Sequence, residues 1–289
     1  MIFLPSILIT ISVGNALNIQ NPLLSQQNNP VISKPKHDLF NILMQHSAAT
    51  SCSSVIDNHQ WNCGIKCNVN TKLLYAFHLP ETESAGYIGY NSDLNALVIS
   101  FRGSANVKNF FYDFQSIKTY PEWLNTDTNV VPENVQIHLG FQKIYRSFQD
   151  DFMVPFIEIL KSVKYKQIIF TGHSLGGALS VLASIDIGLR HPILKPQLKV
   201  ITFGQSRIGN QAYVDWMKTR LNLERVIAYG DVVPLLPPEW QGYRHGGVEY
   251  MIRDQETVKC VDRCENHFGF DFSIHAHGYY DWNFESSPC

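Results

Sequence analysis

The sequence predicts one mixed α/β domain whose central sheet is mainly parallel and carries helices on both faces. Three observations predict it. Short, continuously apolar runs recur along the chain, and helix-length segments alternate with them. At one junction a serine framed by glycines separates two apolar stretches, in "IIFTGHSLGGALSVLAS" (168–184). Strands buried on both faces read as unbroken apolar runs, and parallel neighbours need a crossover, usually helical.

The elements follow in order. "GYIGYNSDLNALVISF" (86–101) reads as two strands around an Asn-Ser-Asp turn, so the sheet starts antiparallel. The buried-strand runs are "ALVISF" (96–101), "QIIFTG" (167–172), "LKVITFG" (198–204) and "ERVIAYG" (224–230). Between them lie the helical segments 141–163, 176–190 and 210–221. From residue 37 to residue 289 no break in composition marks a second domain, and no internal repeat stands out.

The N-terminal end reads differently. "MIFLPSILITISVGNA" (1–16) is apolar from Ile2 to Val13 and ends in small residues, which fits a secretory signal peptide, although it lacks Lys or Arg. It is too short for the roughly 20 apolar residues that span a bilayer. Residues 17–36, rich in Asn, Gln and Pro, read as a flexible lead-in or propeptide. Export to an extracellular or secretory-route compartment would let the six cysteines oxidise.

Composition narrows the function. With 23 Lys+Arg against 25 Asp+Glu and no basic cluster, the chain lacks the positive face that nucleic-acid binding needs. At 289 residues and 45% hydrophobic it has ample material for a core.

Gly172-His173-Ser174-Leu175-Gly176 matches G-x-S-x-G, follows a strand and opens a helix. That is the setting of the nucleophile elbow of α/β-hydrolases, where a sharp turn lifts a serine hydroxyl above the sheet edge. A serine needs a base oriented by an acid, and in this fold the chain order is Ser, Asp or Glu, then His. Asp231 stands directly after "RVIAYG", at the carboxyl end of a strand, whereas its rivals Asp186 and Asp215 fall within helices. His245, His267, His275 and His277 all follow it, and spacing leaves His275 and His277 as equal candidates. His173, beside the serine, reads as packing in the elbow.

From about residue 40 to residue 289 the chain resembles the class 3 lipases, the filamentous-fungal type of triacylglycerol lipase. The resemblance rests on G-H-S-L-G-G (172–177), Phe101-Arg102-Gly103-Ser104, His138-Leu139-Gly140-Phe141, "FGQSRIGN" (203–210, with Ser206 in place of the family's proline) and "DVVPLLPP" (231–238). It implies Ser174 as nucleophile, Asp231 as acid and, from a pattern like S-I-x-x-H-x-x-Y, His277 as base. Acyl transfer calls for an oxyanion hole whose first donor is the amide after the nucleophile, that of Leu175, and needs no metal or organic cofactor; the resemblance implies Ser104 as the second donor. A bland role for Ser104, capping the next segment, is compatible with this.

The cysteine positions suggest Cys63 with Cys67 and Cys260 with Cys264, leaving Cys52 to reach Cys289; the family has a similar framework. Paired metal ligands are the weaker alternative. Val107, Phe110, Phe111 and Phe114 fall on one helical face just after Ser104, where the family carries a lid over an apolar cleft. The expectation is a secreted serine esterase acting on acylglycerols at a lipid–water interface, with no stable protein partner. Phospholipid, monoacylglycerol or phenolic-ester hydrolysis by the same triad is the nearest alternative. A non-catalytic lipid-binding protein of the same fold is the alternative from another class.

Overall fold

The apolar runs become the middle of one sheet because both of its faces are covered. The computed structural model describes residues 29–104, 116–253, 256–261, 263–264 and 289. Strands β1 (Thr71–Leu79), β2 (Ser84–Asn91) and β3 (Ala96–Phe101) form an antiparallel start. Beyond two short strands, β4 (Lys118–Thr119) and β5 (Ile137–His138), come β6 (Gln167–His173), β7 (Leu198–Phe203), β8 (Leu223–Ala228), β9 (Val248–Arg253) and β10 (Glu256–Lys259). Among the described residues the main sheet has the order β1-β2-β3-β6-β7-β8-β9-β10, parallel from β3 through β9 and antiparallel at β10.

Helices α1 (Lys34–Ala49) and α2 (Ser53–Ile56) precede the sheet, while α3 (Leu139–Ser162), α4 (Leu175–Arg190) and α5 (Gln211–Met217) lie between its strands. Alternation along β3 explains the unbroken apolar run. Leu97, Ile99 and Phe101 join the core formed with α3 and α4, while Ala96 and Val98 join Phe40, Leu43 and Met44 of α1. Helix α3 offers the first of these cores a stripe of Phe141, Tyr145, Phe148, Phe152 and Phe156, spaced by three or four residues.

Two boundaries differ from the sequence reading. Residues 29–36 belong to the folded body rather than to a lead-in ending at 36. Val31 bridges to Val258, the Ile32 amide donates to Thr257 O at 2.9 Å, and α1 already begins at Lys34. Pro35 sits in the first turn of that helix, where its missing N–H costs nothing. Helix α5 stops at Met217, short of 221, and Asn210 caps it by accepting the Tyr213 amide at 2.9 Å. Strands β1, β9 and β10 were not anticipated.

The disulfides are Cys52–Cys289, Cys63–Cys67 and Cys260–Cys264. The first closes a separation of 237 residues, which contributes about 5 kcal/mol in a chain-entropy account.

Candidate active site

The site is built on the turn from β6 into α4. Ser174 adopts φ 56°, ψ −124°, a conformation that side-chain-bearing residues rarely hold, and its amide donates to Phe203 O of β7 at 2.9 Å. Two glycines permit it. A Cβ on Gly172 would lie 2.4 Å from the Gly176 carbonyl, and one on Gly176 would lie 2.1 Å from Phe101 O. Ser174 is 1% exposed, and its Oγ makes no hydrogen bond among the described residues. A buried hydroxyl left so in a strained turn calls for a reason other than stability.

The surroundings favour negative charge. The first amides of a helix have no intrahelical partner, so the start of α4 presents the Leu175 N–H beside the serine. The exit from β3 runs along the same turn, because a Cβ on Gly103 would meet His173 O at 2.9 Å and Ser174 Cβ at 3.5 Å. Ser104 and Leu175 thus line one cavity of about 230 Å³, together with Arg102, Ile144, Leu179 and the turn 81–84.

Asp231 is fully buried just beyond β8. Its amide donates to Ala228 O at 3.1 Å, and its Oδ1 accepts the Val233 amide at 2.9 Å. The loop that follows is held by Arg207, which is 3% exposed. Its amide donates to Leu236 O at 2.8 Å, and its guanidinium donates to the carbonyls of Leu235 and Pro237, the latter at 3.2 Å. The sequence reading quoted Arg207 within a motif but gave it no role.

The rival acids are occupied elsewhere. Asp186 is buried in α4, accepting from Tyr145 Oη at 2.8 Å and pairing with Arg190 at 2.6 Å. Asp215 lies on the surface of α5 and pairs with Lys218. Among the histidines, His245 is buried and donates from Nε2 to Pro234 O at 2.7 Å. Burial, then Arg225 and Arg207, holds its pKa well below the ordinary value, so it is neutral. His138 caps α3 by accepting the Gly140 amide on Nδ1, and burial, then Lys118, pushes its pKa down to about 4. His173 is half-buried. His267, His275 and His277 lie outside the described residues, as do Val107, Phe110, Phe111 and Phe114.

Glu249, Cys260 and Cys264 bring ligand atoms within 4.8 Å of one another, but they do not suit a metal. The two sulfurs are bonded to each other and Glu249 Oε2 is held by Arg225 at 2.6 Å, so no thiolate is offered. Among the described residues no helix is long and apolar enough to cross a membrane.

A strained serine between a strand and a helix of a mostly parallel sheet, with an aspartate at the exit of a later strand, defines an α/β-hydrolase. Residues 98–240 match the family model of the class 3 lipases, and over that stretch the chain is similar to that family. It is 29% identical over 220 residues to the lipase of Rhizomucor miehei, covering 74% of this chain and 58% of that one. To the secreted mono- and diacylglycerol lipase A of Penicillium camembertii it is 29% identical over 183 residues, covering 63% and 56%. The solved structure of lipase II from Rhizopus niveus superposes with a TM-score of 0.79 at 25% identity, covering 88% of this chain and 97% of that one. The chain spans about half the length of the curated relatives it matches.

Proposed function

We propose that this protein hydrolyses carboxylic ester bonds of acylglycerols through an acyl-enzyme on Ser174. The observation that carries the reading is the buried Ser174 Oγ, without a hydrogen bond among the described residues, in a strained elbow beside Ser104 and the start of α4. Ser174 Oγ attacks the ester carbonyl carbon while the His277 imidazole takes its proton. The tetrahedral oxyanion is held by the Leu175 amide and by Ser104, each such donor contributing about 2.7–4 kcal/mol. As the C–O bond to the alcohol breaks, the imidazolium returns the proton to the leaving oxygen. Water, deprotonated by the same imidazole, then cleaves the acyl-enzyme and restores Ser174. Asp231 fixes the tautomer of the base and stabilises the imidazolium.

An acylglycerol substrate is supported by the names of the relatives, one a lipase and one a secreted mono- and diacylglycerol lipase. Export is supported by the apolar leader and by three disulfides, which persist in oxidising compartments. The reading includes a lid at Val107, Phe110, Phe111 and Phe114, which the resemblance to the family implies and which lie outside the described residues.

The experiment is a panel of esters from soluble p-nitrophenyl butyrate to emulsified triolein, diolein, phosphatidylcholine and a feruloyl ester. The reading expects release of fatty acid from the glyceride emulsions to exceed that from the phospholipid and phenolic esters. Preference for either of the latter overturns the substrate class, and no turnover of any ester overturns the enzyme.

A further inference from the structure

The segment that carries Ser104 leaves β3 through Arg102, and Arg102 is tied to a part of the molecule far away in sequence. Its amide donates to Ala85 O at 2.8 Å. Its guanidinium turns back over the end of the β1–β2 hairpin, where Nη2 donates to the Glu83 carbonyl and faces His78 Nε2 at 3.3 Å. The other nitrogen of that ring, His78 Nδ1, lies 2.7 Å from Asp57 Oδ1, just beyond α2. Glu83 itself stands at φ 50°, so the carbonyl that receives Arg102 is presented by a strained turn.

The proton positions follow from the partners. An ionised carboxylate can only accept, so Nδ1 carries the hydrogen, and in the neutral ring Nε2 is left with a lone pair toward Arg102. The guanidinium is half-buried and its Nε is buried without a partner among the described residues. Leaving a charged group so costs stability, and the Nη2 contacts offset that cost while fixing the side chain. Gly103, the next residue, is the one packed against Ser174.

We infer that Asp57 and His78 are positioning residues for the oxyanion hole, acting through Arg102 on the place of Ser104 beside Ser174. The inference rests on the reading of Ser104 as an oxyanion donor. Without the His78 ring the guanidinium keeps the Glu83 carbonyl but loses the acceptor that fixes Nη2 on its other side. The charged groups facing His78 are Asp57 from the end of α2 and Arg102 from the exit of β3, with Glu83 bound to the same guanidinium. The Ser104 loop then loosens while the triad stays in place, so turnover falls and substrate binding does not.

The test uses the full chain, p-nitrophenyl butyrate, and kcat and KM measured separately. His78→Ala is expected to lower kcat at pH 8 by about 10-fold, with KM within about twofold, as loss of orientation does. His78→Gln offers a side-chain oxygen to Arg102 in place of Nε2. It is expected to keep kcat within about twofold of the wild type at pH 8. If His78→Ala does not fold, Asp57→Ala, which frees the ring, is read in its place with the same expectation. Wild-type kcat in the folded alanine variant, or a His78→Gln protein no more active than that variant, overturns the inference. A wild-type protein that hydrolyses no ester overturns it together with the functional reading, so the two failures are told apart.

Discussion

The carbonyl oxygen of Phe101, the last residue of β3, occupies the space a side chain at Gly176 would need. A Cβ there would lie 2.1 Å from it, and the obstacle is backbone rather than a movable side chain. This contact lets α4 start directly beneath the β3 exit, which brings Ser104 and Leu175 to one cavity. Gly176→Ala is therefore expected to destabilise the protein at the upper end of the roughly 1–3 kcal/mol range for overpacking, and to depress turnover beyond that. Urea unfolding and kcat measured on the folded fraction check both.

Arg207 contributes through the loop after Asp231. Arg207→Leu removes donors to the Leu235 and Pro237 carbonyls while leaving Asp231 in the sequence. The expected outcome is a stability loss of about 1–3 kcal/mol from unpaired buried carbonyls. On the reading of Asp231 as the acid of the triad, a fall in kcat of about 10- to 100-fold should accompany it. Unchanged kcat in a folded variant would show that the loop keeps its course without the guanidinium.

The buried histidines make stability sensitive to acid. His46 donates from Nδ1 to Tyr87 Oη at 2.7 Å, Tyr87 returns a bond to the His46 carbonyl at 2.9 Å, and Nε2 lies 3.2 Å from Thr71 Oγ1. Burial lowers its pKa from 6.5 to about 3. Below pH 6.5 the unfolded chain binds a proton that the folded protein refuses, so stability present above 6.5 is lost as pH falls. For this residue the loss is about 2 kcal/mol between pH 7 and pH 5. His138 and His245, also lowered by burial, act in the same direction. His46→Asn keeps an N–H for Tyr87 without titrating, and denaturant midpoints at the two pH values should differ less in that variant than in the wild type.

The choice of base is open to a direct contrast. His277→Ala is expected to lower kcat by about 10⁴-fold, as loss of a triad member does, while His275→Ala keeps most of it. Both are read with a soluble ester, so that interface binding does not enter. The reverse pattern would transfer the role to His275.

What the sequence revealed follows from where burial leaves a pattern. Runs such as "ALVISF" and "LKVITF" were readable because nearly every residue is covered on one face or the other. Strand β1 was not, because most of its residues are only partly buried and it carries Lys72 and His78 among its apolar positions. The start of α1 was hidden by the Asn-, Gln- and Pro-rich composition around it, although Pro35 in a first turn opens a helix as readily as it ends one. At the candidate site, the placement of Ser174 and Asp231 was legible because each stands at the end of a recognisable strand. The turn 81–84 and the Asp57–His78 contact were not, since no local pattern encodes which hairpin end packs on the 102–104 segment.

The central claim is that Ser174 is a reactive nucleophile, and covalent labelling tests it most directly. A fluorophosphonate probe, followed by mass spectrometry of the digested chain, is expected to place one adduct on Ser174 and none on the Ser174→Ala protein, which hydrolyses no ester. A folded wild-type protein that stays unlabelled, or a Ser174→Ala protein that is still labelled and active, would contradict the account.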